Sequence, residues 1–396
     1  MPELSKTASA IRAGVFAELE RAVRARTDRG GSLVPLQIGD THRAPPSEAR
    51  FDDACASRSL PALYAYGATA GLEELRAAMA ARLDGAGRAM GNATEANVLI
   101  GVGATHALFC TARAILDPGD DVLLAAPYWP LAHGILTVCG ANVVEVPLTS
   151  RLYADSSLDA GGLLASAATA RTRAIYLITP NNPDGKVLSR RDLESIAAFA
   201  RTRDLWVFAD EVYADYTYDD RPHVSIARLA GMAERTLSAY SFSKSHALAG
   251  ARVGAVVGPE IVIAAARRVS VHSVFNVPVV SQHAALRALD ARAWMDEARA
   301  EYLVARDLAA SALRSAGIDF HMAEGGVYHF CDFSRQLGDR PVSALLARAI
   351  ENGVMLAPGA AFGAAYTQCA RLCYTSVPRP ALERGLDGLI RAVREL

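Results

Sequence analysis

Short apolar runs alternate with helical segments between about residues 97 and 258. Their apolar residues are nearly continuous rather than alternating, which is typical of strands covered on both faces. The runs lie at residues 98–100, 122–126, 143–146, 174–178, 205–209, 237–240 and 254–257. Because helical segments separate these strands, the pattern predicts an α/β fold with a mainly parallel central sheet covered by helices.

Two of the intervening helices have recognisable boundaries. Residues 104–116 end at the turn sequence Asp117-Pro118-Gly119-Asp120. Ser189, followed three residues later by Asp192, begins another long helix as an approximate capping box, with Asp in place of Glu or Gln.

The pattern changes after about residue 259. It predicts a long helical stretch over 259–316, a strand at 327–330, a helix over 342–352, a short strand at 371–375 and a final helix over 380–396. This order indicates a smaller α+β domain. We expect a large domain over residues 46–283 and a small domain formed by residues 1–45 and 284–396.

Composition and charge exclude several function classes. The 396 residues carry a formal net charge of -1, which gives no electrostatic signature for nucleic acid or an anionic membrane. No apolar run approaches the roughly 20 residues that span a bilayer, and residues 1–26 lack the apolar core of a signal peptide. The six cysteines have neither disulfide-framework nor zinc-site spacing. We expect a cytoplasmic protein without a metal site.

Lysine is scarce in this chain. Only Lys6, Lys186 and Lys244 occur, so that 38 of the 41 basic residues are arginines. Arginine keeps its proton, whereas its surroundings can make lysine neutral and nucleophilic; a biased genome would also leave few lysines. Lys6 lies in the N-terminal segment and Lys186 follows a turn, where a solvated side chain is expected. Lys244 follows a core strand and is the candidate nucleophile.

Polar residues follow several of the predicted strands, at the edge where open α/β sheets bind ligands. Strand 98–100 is followed by Gly101-Val102-Gly103-Ala104-Thr105 and then by a helix. The free N–H groups at the start of such a helix form an anion-binding site. A dinucleotide fingerprint does not fit, because His106 stands in place of the third glycine.

The next predicted strands are also followed by polar side chains that suit ligand binding or catalysis. Asn182 follows strand 174–178 in a loop braced by prolines, although most such turns have no function. Asp210 directly follows strand 205–209. Burying a carboxylate there costs free energy without a cation or a hydrogen-bond donor as its partner. The alternative is that Asp210 only caps the next segment. Lys244 follows strand 237–240, and Arg252 is placed to meet a phosphate. Together these groups suit a planar, phosphorylated, aldehyde-bearing pyridine.

The chain resembles the class I/II aminotransferases of the fold-type I pyridoxal-phosphate (PLP) enzymes over nearly its whole length. Each matching stretch is moderately specific, but all occur in the family's order and spacing. They lie at residues 66–76, 127–129, 181–185, 210–213, 241–244, 250–254, 324–328, 358–363 and at Arg371.

The resemblance implies roles for individual residues. Lys244 would form a Schiff base with PLP and shuttle the substrate's proton, Asp210 would pair with the pyridine nitrogen, and Tyr213 and Asn182 would bind the phenolic oxygen. Trp129 would stack on the ring. The phosphate would be held by Gly103, Ala104, Thr105, Ser241, Ser243 and Arg252, and by Tyr66 of the neighbouring subunit in a homodimer with shared sites. Arg371 would grip the substrate α-carboxylate, and Gly39, Trp129 and Asn182 would line the same pocket.

The sequence departs from the family pattern at two positions, of which only Thr105 bears on specificity. Asp184 stands where threonine is usual in the loop after strand 174–178. Relatives that act on aspartate or prephenate carry a lysine where this chain has Thr105. A dicarboxylic substrate is therefore disfavoured, although an arginine elsewhere would serve the same purpose.

The function indicated is transfer of an amino group from an L-amino acid to a 2-oxo acid by a ping-pong mechanism. The motifs do not separate this reaction from that of a PLP-dependent lyase, cyclase or oxidative enzyme of specialised amino-acid metabolism. A transcription regulator with an aminotransferase-like domain would need a DNA-binding module, and only about 45 residues precede the large domain.

Overall fold

The computed structural model describes residues 4–11, 20–56 and 60–396. The expectation for residues 1–26 therefore lies partly outside the described residues. The strands are β1 Val34–Pro35, β2 Val98–Val102, β3 Asp121–Ala126, β4 Asn142–Pro147, β5 Thr172–Ile178, β6 Trp206–Asp210, β7 Thr236–Ser241, β8 Val253–Val257, β9 Asp319–Phe320, β10 Tyr328–Asp332, β11 Val354–Met355, β12 Ala357–Pro358 and β13 Cys369–Cys373.

Helices occupy most of the remaining described chain. They are α1 Lys6–Ala10, α2 Glu20–Thr27, α3 Phe51–Ala56, α4 Leu60–Tyr64, α5 Glu73–Gly85, α6 Gly103–Ile115, α7 Pro130–Val138, α8 Thr149–Ala154, α9 Ala160–Ala165, α10 Arg190–Thr202, α11 Phe242–Ser245, α12 Glu260–Ser273, α13 Val279–Ala288, α14 Arg292–Ser315, α15 Ser334–Leu337, α16 Val342–Glu351 and α17 Arg379–Arg394. In the described part of the chain, no helix has the length and apolar composition to cross a bilayer.

Within the described residues, β2 to β8 form a seven-stranded sheet in the order β2-β8-β7-β6-β5-β3-β4. Its pairs are parallel except that β8 runs antiparallel to β2 and β7, which confirms the mainly parallel sheet. Residues of β3, β7 and β8 are all buried, as their continuous apolar runs predict. All seven strands lie where the pattern placed them.

The capping prediction for α10 is also confirmed. The Ser189 side chain accepts a hydrogen bond from the Asp192 backbone N–H, and the Asp192 carboxylate accepts one from the Ser189 N–H in return. This reciprocal pairing satisfies two backbone donors that the first turn of the helix would otherwise leave open.

The C-terminal part is built on a four-stranded antiparallel sheet, β12-β13-β10-β9, within the described residues. The N-terminal strand β1 pairs in parallel with β11, so residues 34–35 pack beside residues 354–355. The domain limits at residues 46 and 283 remain a prediction.

The single helical stretch expected over 259–316 was wrong. Three helices, α12, α13 and α14, replace it, with breaks at residues 274–278 and 289–291. Phe275 has a positive φ of 63°, and Pro278, which lacks an N–H, precedes α13 as its N-cap. The apolar periodicity continues across these breaks and therefore conceals them.

Candidate active site

A cavity of about 300 Å³ lies at the carboxyl ends of the central strands. Twelve predicted residues line it: Gly39, Ala104, Thr105, Trp129, Asn182, Asp210, Tyr213, Ser241, Ser243, Lys244, Arg252 and Arg371. The sequence argument gave no role to the other lining residues, which are Leu108, Leu131, Ile178, Val212, Ala249 and Tyr328. The structure thus brings together groups from five strand ends and from both halves of the chain.

The predicted anion-binding site at the start of α6 is formed by Gly103 and Arg252. Gly103 is the first residue of α6 and has a φ of 71°. A Cβ at this position would lie 2.5 Å from Nη2 of Arg252, so only glycine allows the guanidinium to approach so closely. The Gly103 N–H donates to the Arg252 carbonyl at 2.8 Å. A guanidinium thus lies against the positive end of a helix, where an anion is stabilised.

Lys244 lies in the short helix α11 that follows β7. Its ammonium Nζ donates a hydrogen bond to the Gly39 carbonyl. Burial lowers the pKa of Lys244; the Asp40 carboxylate opposes this, while the nearby Arg371 and Arg252 guanidinium groups lower the pKa further. A lysine in this setting releases its proton more readily than an exposed one, as a nucleophile or base must.

Asp210 is the last residue of β6 and is almost completely buried. Its Oδ2 accepts a hydrogen bond from the Tyr176 hydroxyl at 3.1 Å, and Oδ1 accepts one from the Val212 N–H at 3.4 Å. Burial raises the pKa of Asp210 to about 6. Among the described residues, no cationic side chain forms an ion pair with this carboxylate, so the cavity offers it to a cationic ligand.

The buried carboxylate leads to a stability prediction for the cofactor-free protein. Because the pKa of Asp210 is raised in the folded protein, its protonated carboxyl contributes favourably to the free energy of unfolding below pH 4. That contribution is lost as pH rises through 6. Asp210→Asn should therefore stabilise the cofactor-free protein increasingly between pH 4.5 and pH 7, by up to about 2–3 kcal/mol. Urea unfolding at several pH values measures this. Exposed Asp220→Asn is the control, and a pH-independent difference for Asp210→Asn would contradict the prediction.

Arg371 in β13 is buried and held on several sides. Nη1 donates to Oδ1 of Asn182 at 2.9 Å, and Nη2 donates to the Gln37 carbonyl at 2.7 Å. The guanidinium carbon lies 4.2 Å from the ring centre of Tyr328 and 4.9 Å from that of Phe362. Its Nε has no hydrogen-bond partner within the described residues. The result is a cation held in one orientation at the cavity wall, which suits a carboxylate ligand.

The loop that carries Asn182 is braced by Asp184. This side chain is fully buried, and its oxygens accept hydrogen bonds from the Thr149 hydroxyl at 2.5 Å and from the Asn181 amide at 2.8 Å. Desolvation raises the pKa of Asp184 despite these donors. The carboxylate at the position usually held by threonine therefore fastens the loop to the start of α8.

The expectation of a solvated Lys186 was wrong. Its side chain is only 12% exposed; Nζ donates to Oε1 of Glu324 at 3.1 Å and lies 4.6 Å from the centre of the Tyr153 ring. A buried carboxylate from a distant segment draws the lysine inward, which the local turn sequence does not reveal. Lys186 does not line the 300 Å³ cavity.

Sequence reasoning gave no role to two tyrosines of the site, Tyr176 and Tyr328, although Tyr328 ends the matching stretch 324–328. Tyr176 donates to Asp210, and Tyr328 lies with its hydroxyl oxygen 2.7 Å from that of Tyr213. A tyrosine inside an otherwise apolar strand needs a partner for its hydroxyl. That signal was present in β5 and at the start of β10, but only the sheet register identifies the partner.

Tyr66 is not brought into the cavity within one subunit. Its side chain is 86% exposed and makes an edge-on contact with the Phe275 ring, with ring centres 4.9 Å apart. It lines a separate surface cavity together with Gly67, Leu72 and Val279. Its predicted role in a neighbouring subunit's site remains a prediction.

Comparison with known proteins places these features in a family. Residues 39–389 match the family model described as aminotransferase class I and II. Arginine–pyruvate transaminase of Pseudomonas aeruginosa is 35% identical over 350 residues, covering 86% of this chain and 84% of that protein. Aspartate/prephenate aminotransferase of Thermus thermophilus is 32% identical over 372 residues, covering 92% and 93%.

Solved structures of similar proteins have the same fold as this chain. A single mutant of Thermus thermophilus aspartate aminotransferase superimposes with a TM-score of 0.91 at 29% identity, covering 99% of this chain and 100% of that one. The fold is therefore that of the fold-type I enzymes. With the family model covering most of its length and the strand-end residues gathered in one cavity, the chain belongs to the aminotransferase class I and II family.

Proposed function

We propose that this aminotransferase binds PLP in the 300 Å³ cavity and moves an amino group from an L-amino acid to a 2-oxo acid in two alternating half-reactions. The observation that carries the proposal is that Lys244 and Asp210 line one cavity from the ends of two neighbouring parallel strands. An amine and a buried acid in one cavity suit the aldehyde and the ring nitrogen of a pyridine cofactor.

The residues present fit each part of PLP. The α6 N-terminus and Arg252 would hold its phosphate, and Asp210 would face its ring nitrogen. The protonated ring nitrogen is a cation, and it would offset the desolvation that raises the pKa of Asp210. Trp129, half-buried at the cavity wall, would cover one face of the ring. When bound, PLP supplies an electron sink for the negative charge that develops at the substrate's α-carbon.

The chain's own groups would orient the substrate and move the proton. Arg371, which lines the cavity, would bind the α-carboxylate, which both the amino acid and the 2-oxo acid carry. This contact fixes the α-carbon relative to Lys244. Because its pKa is lowered, the Lys244 amine can accept the α-proton and return it at another atom.

We further propose a homodimer with shared sites. The support is the exposure of several large apolar side chains, of which Leu131 lines the cavity and Tyr66 contacts Phe275. These are Tyr64, Tyr66, Leu131, Val274 and Phe275. The cytoplasmic location remains a prediction from the sequence.

Mixing the PLP-loaded enzyme with a single amino acid tests the proposed reaction. An aminotransferase gives one equivalent of 2-oxo acid per site and then stops until a second 2-oxo acid is added. Continued product formation from the amino acid alone would contradict amino transfer and favour lyase or cyclase chemistry. The relatives named above are transaminases or aminotransferases.

The cavity also predicts substrate preference. From the described residues of one subunit, the cationic side chains that line it are Lys244, Arg252 and Arg371, and each has a proposed partner. A second substrate carboxylate would be left without a cation, so we expect kcat/KM for aspartate and glutamate about 10- to 100-fold below that for monocarboxylic amino acids. Thr105→Lys should raise kcat/KM for aspartate. A wild-type preference for aspartate would contradict the expectation.

A further inference from the structure

Tyr328 occupies a central place in the cavity. It is the first residue of β10, pairs with Cys373 of β13, and is 1% exposed. A Cβ built on Gly39 would lie 2.0 Å from the Tyr328 hydroxyl oxygen, so the absence of a side chain at Gly39 makes room for that hydroxyl. Gly39 is also the residue whose carbonyl accepts the Lys244 hydrogen bond. Tyr328 and the candidate nucleophile therefore approach the same residue and line the same cavity.

The ring and the hydroxyl of Tyr328 contact different groups. The face of the ring lies 4.2 Å from the Arg371 guanidinium carbon, a favourable cation–π arrangement. The hydroxyl lies 2.7 Å from the Tyr213 hydroxyl, and the two rings meet edge to face with centres 5.7 Å apart. In the part of the chain that the structure describes, the Tyr328 hydroxyl has no other hydrogen-bond partner.

Either hydroxyl can donate the hydrogen bond between Tyr213 and Tyr328. The family resemblance implies that the Tyr213 hydroxyl donates a hydrogen bond to the phenolic oxygen of the cofactor, which leaves its oxygen to accept one from Tyr328. Burial raises the pKa of Tyr328 to about 12, although Arg371 lowers it in part, and the hydroxyl therefore keeps a proton to donate. The other titratable groups that act on Tyr328 are Cys373, Tyr213 and Asp40.

We propose that Tyr328 is a positioning residue whose hydroxyl holds the Tyr213 hydroxyl as a donor toward the cofactor, while its ring supports Arg371. The inference rests on the proposed function, since it concerns how the protein holds PLP. A hydroxyl that accepts one hydrogen bond is a stronger donor for the next, because the bonds polarise one another. Tyr328 thereby links the carboxylate-binding arginine to the phenolic end of the cofactor.

Tyr328→Phe separates the two roles because it removes the hydroxyl and keeps the ring under Arg371. The visible absorbance of Lys244-bound PLP changes with pH, and a donor to the phenolic oxygen lowers the pKa of that change. We expect Tyr328→Phe to raise this pKa by about 0.5–1. The KM for the amino acid should change by less than about twofold, since the ring remains.

Two further variants make the assignment specific. Tyr374→Phe is the matched control, because it removes another buried tyrosine hydroxyl, which donates to the Gly326 carbonyl at 3.0 Å. It should leave the spectral pKa unchanged. If Tyr328 acts through Tyr213, adding Tyr328→Phe to Tyr213→Phe should cause no further increase in that pKa.

The outcomes distinguish this proposal from the proposed function. If the wild-type protein shows no visible absorbance of bound PLP, the proposed function fails. If the wild-type absorbance titrates and Tyr328→Phe titrates at the same pH, only the positioning role is overturned. An additive increase in the double variant, or a loss of thermal stability with unchanged spectral pKa, would also overturn it.

Discussion

Replacement of Lys244 by arginine is expected to lower turnover by about 10⁴-fold or more while the protein remains folded. Arginine keeps the positive charge and much of the length, but it neither forms the bond to the cofactor aldehyde nor accepts a proton. General base catalysis alone contributes up to about 10⁴-fold, and both half-reactions depend on the same amine. Steady-state turnover with excess PLP, together with a thermal melt, measures the effect.

Lys186→Arg is the matched control for this substitution. Lys186 is also shielded, but it pairs with Glu324 outside the cavity, and arginine is able to keep that ion pair. Its turnover should remain within about threefold of wild type. Equal losses in the two variants would indicate that lysine replacement disturbs the fold, and activity retained by Lys244→Arg would contradict the assignment.

The second large effect is expected at Arg371. Arg371→Lys keeps a cation but loses the planar pair of donors and the stacking on Tyr328 and Phe362. We expect kcat/KM to fall by about 10²–10³-fold, the range found when a buried, hydrogen-bonded charge pair loses one partner. Because both substrates carry the carboxylate, the loss should be similar for the amino acid and the 2-oxo acid.

Arg306→Lys provides the comparison. Arg306 is equally buried, but its guanidinium binds Asp219 at 2.7 and 3.0 Å, and the residue does not line the cavity. Its replacement should lower the melting temperature and change kcat/KM by less than about twofold. A loss confined to one substrate in Arg371→Lys would contradict a role in binding the shared carboxylate.

Much of this architecture was predictable because its signals are local. The buried strands appear as apolar runs, and Ile178, Asp210 and Ser241, the last residues of β5, β6 and β7, line the cavity. Lys244 was identifiable because lysine is rare in the chain and this one follows a core strand. The ends of parallel strands meet at one edge of a sheet, so local boundaries already predict which side chains converge.

The remaining features depend on contacts between distant segments. The Tyr213–Tyr328 pair joins residues 115 positions apart, and the partner of Lys186 lies 138 positions away. The breaks in the stretch 259–316 arise where apolar residues continue but the backbone leaves the helix. Single-sequence periodicity reports which residues are buried and does not report which buried groups meet.

The central claim is that PLP is held by Lys244 in the cavity that also contains Asp210. Borohydride reduction of the PLP-loaded enzyme, followed by mass spectrometry of its peptides, tests this claim most directly, because reduction fixes the cofactor to the amine that holds it. The account predicts one phosphopyridoxyl group per chain, on Lys244. A fully active enzyme with the label on Lys186 or Lys6, or with no label, would contradict it.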